Sequence, residues 1–295
     1  MVAAAGARAE GRQFLGYGRL VTNDVFGDTH DRWRSGSIAS SRVWGAEWAG
    51  QAPDRLGQLL EFRVNAEIIT PENINGARPG DRPFAGVLSF GLHSHFSAGR
   101  TQMALGADLV ATGPQTQLDH VQQAIHDLLG GDGPSTRTRA AQIGDDVTPT
   151  AVFEAGRPLA LGSGGKARLR PFVEGRWGIE TLVRAGADLT IGPVGQGGLM
   201  ARAPVTGHRY RVIERPFAGA SFVLGADVAH VAESELLPES RGFALTDTRN
   251  RVRAGVHWQG QKGGSLFYGV TWLDKEFRNQ RESQVVGSIR LNLEF

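Results

Sequence analysis

Counting back by twos from the end of the chain gives Phe295, Leu293, Leu291, Ile289, Gly287 and Val285. The residues between them, Glu294, Asn292, Arg290, Ser288 and Val286, are polar but for one. A strand with one apolar and one polar face follows from that alternation. The same period recurs upstream. Residues 58–69 set Leu60, Phe62, Val64, Ala66 and Ile68 against Glu61, Arg63, Asn65 and Glu67. Residues 84–96 place Phe84, Gly86, Leu88, Phe90, Leu92 and Phe96 on one side. Met103, Leu105, Ala107 and Leu109 alternate in 100–110, Phe222, Leu224, Ala226 and Val228 in 217–230, and Val252, Ala254, Val256 and Trp258 in 249–259. Weaker stretches at 14–23, 34–48, 149–160, 167–178, 180–191 and 264–275 bring the count to about twelve, an even number that suits a transmembrane barrel.

One segment has a different period. From Gln117 to Leu129, residues Leu118, Val121, Ile125, Leu128 and Leu129 fall on one helical face, with Gly113-Pro114 before and Gly130-Gly131 after. The apolar face is expected to point at the barrel wall. A soluble β-sandwich shares the strand alternation. The length, the strand count and a last strand ending on an aromatic favour an all-β, closed antiparallel transmembrane β-barrel, its short helix carried by an extracellular loop spanning 111–148. A loop that long with its own helix is usually functional.

Composition narrows the reading. Hydrophobic content is 40%, and no uninterrupted apolar run approaches ~20 residues, which excludes helical spans. A net charge of +2 argues against nucleic acid as a partner. The absence of cysteine excludes disulfides and thiolate chemistry. Lysine occurs only at Lys166, Lys262 and Lys275, so the basic side chains are nearly all arginine, which grips phosphate bidentately. The Ala-rich start, Met1 to Ala9, ends in Ala7-Arg8-Ala9, like the cleavage site of a secretory signal without its apolar region. It reads as the remnant of a signal or an N-terminal tail, with residues 10–295 forming a single barrel domain.

Candidate chemistry concentrates between the first two strands. Asn23-Asp24-Val25-Phe26-Gly27-Asp28-Thr29-His30-Asp31-Arg32-Trp33-Arg34-Ser35 crowds carboxylates, an amide, an imidazole and guanidiniums into one turn. Such a turn either holds a hard cation and polarises a carbonyl, or is a solvated loop whose Asp residues cap turns. Asp28 and Asp31 read equally as ligands or as turn-capping and Arg-pairing residues, and His30 reads as loop surface. His126, near the end of the predicted helix, needs a partner to be more than a surface histidine. His93 and His95 share a strand face, with no carboxylate at ligand spacing. Trp33, Trp44 and Trp48 read as an interfacial girdle.

Taken in order, Asn23-Asp24, Asp31-Arg32 leading to Ser35, Thr70-Pro71, Asp81-Arg82-Pro83-Phe84-Ala85-Gly86, Gly113-Pro114 and Val121-Gln122 ahead of His126 resemble the outer-membrane lipid A deacylase family (lipid A 3′-O-deacylase, LpxR-like). The resemblance touches the first half at several points and the second half as barrel pattern. It implies a twelve-stranded barrel in the bacterial outer membrane, a monomer acting on lipid A or lipopolysaccharide among outer-membrane lipid. It also implies a site in which His126 activates water, Asp24 holds Ca²⁺, and Asn23 and Ser35 orient groups. Ser35 stands where the family commonly has Thr, and Arg34 where it usually has Tyr. In place of the family's basic residue, Arg78 and Arg82 are the candidates to bind a lipid A phosphate. A non-catalytic barrel and a serine-dependent barrel phospholipase are the competing readings.

Overall fold

The computed structural model describes residues 11–76, 80–129, 133–162 and 164–293. Twelve strands form the wall: β1 (Gln13–Asn23), β2 (Trp33–Gly45), β3 (Leu60–Thr70), β4 (Ala85–Ala98), β5 (Thr101–Thr112) and β6 (Asp146–Gly156), then, past a short β7 (Leu159–Leu161), β8 (Ala167–Trp177) and β9 (Glu180–Ile191). Past a separate hairpin of β10 (Leu199–Arg202) and β11 (Arg209–Ile213), the wall resumes with β12 (Gly219–Ser234), β13 (Arg249–Gln259), β14 (Ser265–Leu273) and β15 (Gln284–Asn292). Neighbours pair antiparallel throughout. β6 meets β8 on one side and β1 meets β15 on the other, so the sheet closes. The expected barrel is the fold, and no described helix is long and apolar enough to cross a membrane.

Alternation decides which side chains meet lipid. Phe62, Phe90, Leu92, Leu105, Leu109, Val183, Phe222, Leu224, Val252 and Trp258 are exposed on the outer face. Leu291 on β15 and Leu293 just past it are exposed and Val285 and Ile289 half-buried, as the dyad predicts, whereas Phe295 lies outside the described residues. The inward positions are polar and paired, because a charge taken out of water needs a partner. Asp188 holds Arg202 at 2.8 Å and Arg253 at 2.5 Å, and Arg251 bonds Asp227 at 2.9 Å. His93 and His95 are such lumen residues, on Asp108 at 2.8 Å and Glu61 at 2.5 Å. Those carboxylates come from neighbouring strands.

The lumen also has an apolar centre, which the strand pattern does not announce. The connection between β9 and β12 folds back inside the barrel, where β10 and β11 pair through Leu199–Ile213 and Ala201–Tyr210. Tyr210, Val212 and Ile213 pack with Leu20, Ala39, Val43 and Phe267. The Tyr210 hydroxyl lies 2.6 Å from that of Ser41. Gly16 and Gly18 make this possible. A Cβ on either would fall 2.2 Å from a β11 carbonyl oxygen, that of Val212 or Arg211. Two of the expected girdle tryptophans go elsewhere. Trp33 is buried beneath the Arg32 guanidinium, and the Trp48 indole donates to the Gly197 carbonyl at 2.8 Å. Trp44 does pack on Phe14, with ring centroids 5.9 Å apart, while Trp177, Trp258 and Trp272 are exposed near other strand ends.

The loop between β5 and β6 carries α1 (Leu118–Leu129) and α2 (Thr136–Ala140). The helix is where periodicity puts it, but turned over. Asp119 and Gln122 are buried, whereas Val121, Ile125 and Leu128 are 46%, 47% and 85% exposed. The helix lies against β3 and β4 and its polar stripe reaches Asp31 of the first loop, so that stripe faces the barrel and the apolar stripe faces out.

Replacing Gly16 or Gly18 by Val should displace β11 and destabilise the barrel by about 1–3 kcal/mol, the usual range for overpacking. The control is Gly11→Ala, where a Cβ meets nothing within 4 Å. Loss of the compact, heat-modifiable electrophoretic form at lower temperature checks the first, and an unchanged profile the second.

Candidate active site

The loop from Asp24 to Arg32 is a folded object rather than a solvated connection. Asn23 caps a single 3₁₀ turn, its Oδ1 accepting from the Val25 amide at 2.9 Å. The loop is seated on β15: the Asp28 amide donates to the Val285 carbonyl at 3.0 Å, and the Val285 amide donates back to Asp28 Oδ2 at 3.1 Å. Asp28 Oδ2 also takes Arg32 Nη2 at 3.3 Å. Asp28 is thus the capping and Arg-pairing residue of its two readings, and His30 is exposed, as expected of loop surface. Gly27 and Gly287 allow the seat, since a Cβ on either would fall 2.2 Å from a carbonyl oxygen across the contact. Thr29 and Trp33 have φ of 64° and 52°, a left-handed backbone that is unfavourable for a bulky residue and is held here by the surrounding bonds.

Two carboxylates inside this loop differ in their surroundings. Asp31 is the hub. Its Oδ2 lies 3.0 Å from His126 Nε2, Ser35 Oγ donates to its Oδ1, and Gln122 Nε2 reaches both oxygens at 3.4 Å. A bulge in β2 between Arg34 and Gly36 supplies the extra residue that turns Ser35 into this position. Gln122 and His126, four apart on α1, share a face. Asp24 is buried. Its Oδ2 accepts from the Arg32 amide at 3.0 Å, while Oδ1 has no hydrogen-bond partner. Burial, reinforced by the charge of Asp31, pushes the Asp24 carboxyl up to about 8. A carboxylate with one orphaned, buried oxygen is suited to a hard cation. Among the described residues no group of three or more His, Asp or Glu is arranged around one point, so any ion there would lean on carbonyl or water oxygens.

The geometry therefore brings His126 and Ser35 onto one carboxylate, with Asn23 and Asp24 on the turn beside it. The sequence offers Asp31 only as one option among ligand, cap and arginine partner, and Gln122 only as part of a motif. The signal for both is register: Asp31 four residues before Ser35, Gln122 one helical turn before His126. Arg78 lies outside the described residues. Arg82 does not serve a phosphate, because it is fully buried and its Nη1 donates to Glu276. Arg34, where the family usually has Tyr, joins the same cluster, 2.6 Å from Glu276 and 2.7 Å from Glu67. Burial opposes ionisation of Glu276, but the guanidiniums of Arg34, Arg82 and Arg249 outweigh it and hold the acid well below the usual carboxylate range.

The family of the outer membrane protein LpxR matches residues 2–295. The chain belongs to the LpxR family. It is an outer-membrane barrel. LpxR from Salmonella typhimurium superposes with a TM-score of 0.72 at 17% identity, covering 95% of this chain and 100% of that one, which shows a common fold. The β domain of the Bordetella autotransporter BrkA aligns over 95% of this chain and 99% of its own at 10% identity, with a TM-score of 0.39 too low to carry an argument. No curated protein matches the chain. With an outer-membrane barrel established, the end that carries the site, with the 113–145 connection, faces outward, and the opposite end, where β1 begins and β15 finishes, faces the periplasm.

The state of Asp24 sets a pH dependence of stability. Well below pH 3.8 unfolded Asp24 is protonated, as folded Asp24 is. Between there and about 8 the folded chain retains a proton that the unfolded chain has released, so this residue's contribution is lost as pH rises. With divalent ions chelated, Asp24→Asn should unfold at higher temperature than wild type near pH 8, and the difference should vanish near pH 4. Added divalent cation should narrow the gap at the higher pH. Parallel unfolding curves at every pH would contradict this account.

Proposed function

We propose that this LpxR-family chain is an outer-membrane carboxylic ester hydrolase that removes ester-linked acyl chains from lipid A by 3′-O-deacylation. The observation that carries the reading is the meeting of His126 from α1 with Asp31 from the first loop, at the outer rim of a lipid-facing wall. The exposed apolar face of α1 supports it, since Val121, Ile125 and Leu128 offer an acyl chain apolar surface on the helix that carries His126. An ester at the base of a glycolipid headgroup sits at that same polar–apolar boundary.

The residues divide the work. With Nε2 3.0 Å from Asp31 Oδ2, an Nε2–H tautomer of the His126 ring would have Nδ1 as its basic nitrogen. That nitrogen takes a proton from water, the resulting hydroxide adds to the ester carbonyl carbon, and the imidazolium returns the proton to the departing sugar alkoxide. Asp31 stabilises the imidazolium while it lasts. Ser35 and Gln122 hold Asp31 in place by donating to it, and Asn23 fixes the turn that presents Asp24. Asp24, with its orphaned Oδ1, would hold Ca²⁺, which when bound supplies positive charge opposite the developing oxyanion. A serine-nucleophile mechanism is disfavoured because the Ser35 hydroxyl donates to Asp31 instead of to His126.

Lipid A from cells with and without the protein should differ in mass by the ester-linked acyl chain. His126→Asn should lower cleavage about 10²–10⁴-fold, the usual worth of a positioned base, with the barrel still folded. Asp24→Ala and chelation of divalent ions should each abolish cleavage, and neither should add to the other. Ser35→Ala should be milder than His126→Asn, because it frees Asp31 without removing the base. Full deacylation by the His126→Asn protein would refute the assignment, and unchanged lipid A in wild-type cells would favour a non-catalytic barrel.

A further inference from the structure

The outer face of the wall is apolar apart from scattered polar residues such as Ser94, His230 and Asn250 and a basic patch on two strands. On β1 and β2 the outward positions are Tyr17, Arg19 and Val21, and Ile38, Ser40, Arg42 and Trp44, paired as Tyr17–Arg42, Arg19–Ser40 and Val21–Ile38. Tyr17, Arg19 and Arg42 are exposed. Arg42 stands over the Tyr17 ring, its guanidinium 5.8 Å from the centroid. Neither arginine forms a hydrogen bond or ion pair with any described residue. Elsewhere on the outward rows the one acidic side chain is Glu233, at the loop-end tip of β12, among the described residues. A guanidinium facing hydrocarbon with no counter-ion is unfavourable, so something outside the protein must supply the negative charge.

The level of the patch selects the donor. Arg42 is two residues above Trp44, which with Phe14 marks the turn-end aromatic ring. Arg42 lies nine residues below Trp33 at the loop end of β2, about 30 Å along the strand at ~3.3 Å per residue, too deep for the headgroup of an outer-leaflet glycolipid. Long arginine stems snorkel toward the nearer interface. From Arg42 that interface is the periplasmic one, and Arg19, its diagonal neighbour across the pair and midway up the wall, reaches down toward it. A second copy of this chain offers no acid at this depth on its own wall.

The same place is the weak seam of the barrel. β1 and β15 pair only at Val21–Ile289, Thr22–Ser288 and Asn23–Gly287. Below these, β1 from Gln13 to Leu20 is laddered to β2 alone and Arg290 to Asn292 to β14 alone, with β11 backing β1 from inside. Backbone groups along that half-open edge lack strand partners, which hydrocarbon does not tolerate and a polar headgroup does.

We propose that the outer face of β1 and β2 is a binding site for one glycerophospholipid of the periplasmic leaflet. Its phosphate is held between Arg19 and Arg42, with the Tyr17 and Ser40 hydroxyls as further donors, and its headgroup covers the lower β1–β15 seam. Two arginines converging on one phosphate is the arrangement that grips it most firmly. The site lies on the wall below the Asn23–Asp24 turn and is independent of the chemistry proposed there.

Native mass spectrometry of the folded, detergent-solubilised protein tests this, with dioleoylphosphatidylglycerol, dioleoylglycerol and inorganic phosphate as probes. Wild type should retain one phosphatidylglycerol, retain dioleoylglycerol far less, and keep its lipid in the presence of inorganic phosphate. The Arg19→Leu/Arg42→Leu double variant, checked for heat-modifiable migration, should bind phosphatidylglycerol at least about tenfold more weakly, as expected for loss of charge-assisted bonds. The Arg19→Lys/Arg42→Lys variant should keep most of the affinity. Undiminished binding by a folded double-Leu protein would overturn the proposal. Equal retention of dioleoylglycerol would do so too, by showing a merely apolar groove, and displacement by inorganic phosphate would show a site for a free anion. If the double-Leu protein fails to fold, the wild-type comparison of the two lipids decides.

Discussion

Hydrocarbon offers no hydrogen bonds, and that constraint orders the whole molecule. Backbone groups must be satisfied by neighbouring strands, so the sheet closes, and apolar side chains must face outward, so most charges that the strands carry are pushed inward. The lumen consequently holds a dense set of guanidinium–carboxylate pairs, each bound to at least one opposite charge because an unpaired ion there would be expensive. Arg34, Arg82, Arg249, Glu67, Glu180 and Glu276 form one such cluster directly beneath the first loop.

That cluster and the β15 seat together explain how a turn between two strands becomes a rigid platform. The loop is bonded to β15 through Asp28, and Gln284 ties both ends of its last turn, donating to the Arg32 carbonyl at 2.6 Å and accepting from the Arg34 amide at 3.1 Å. Sites built on fixed elements hold their geometry better than sites on free loops. Here the loop borrows its stiffness from a strand some 250 residues away in sequence. It also caps the seam where β1 and β15 pair, so the closure of the barrel and the presentation of Asp24 and Asp31 depend on the same contacts.

Two exposed features lie on this side of the barrel. The apolar face of α1 is exposed above the wall, and the arginine pair of β1 and β2 is exposed on it. Each is unfavourable in water or in plain hydrocarbon respectively, and each becomes favourable only against a lipid of the right chemistry at the right depth. The proposed deacylation site and the proposed phospholipid site thus face the membrane at two levels of one strand pair.

Strand number, strand limits and the facing of most residues were legible in the sequence, because a period of two is local and lipid enforces it: residues 249–259 and 180–191 coincide with β13 and β9. The position of α1 was legible for the same reason. Its orientation was not, since periodicity gives a stripe without saying what lies beneath it, and polar Asp31 lies beneath this one. The inner hairpin was hidden because strands of four and five residues give almost no alternation to read. The resemblance of spaced motifs singled out His126, Asn23, Asp24 and Ser35. That Asp31 joins His126 to Ser35, and that Arg82 is spent on Glu276, depended on contacts across 95 and 194 positions, and only closure of the barrel decides those.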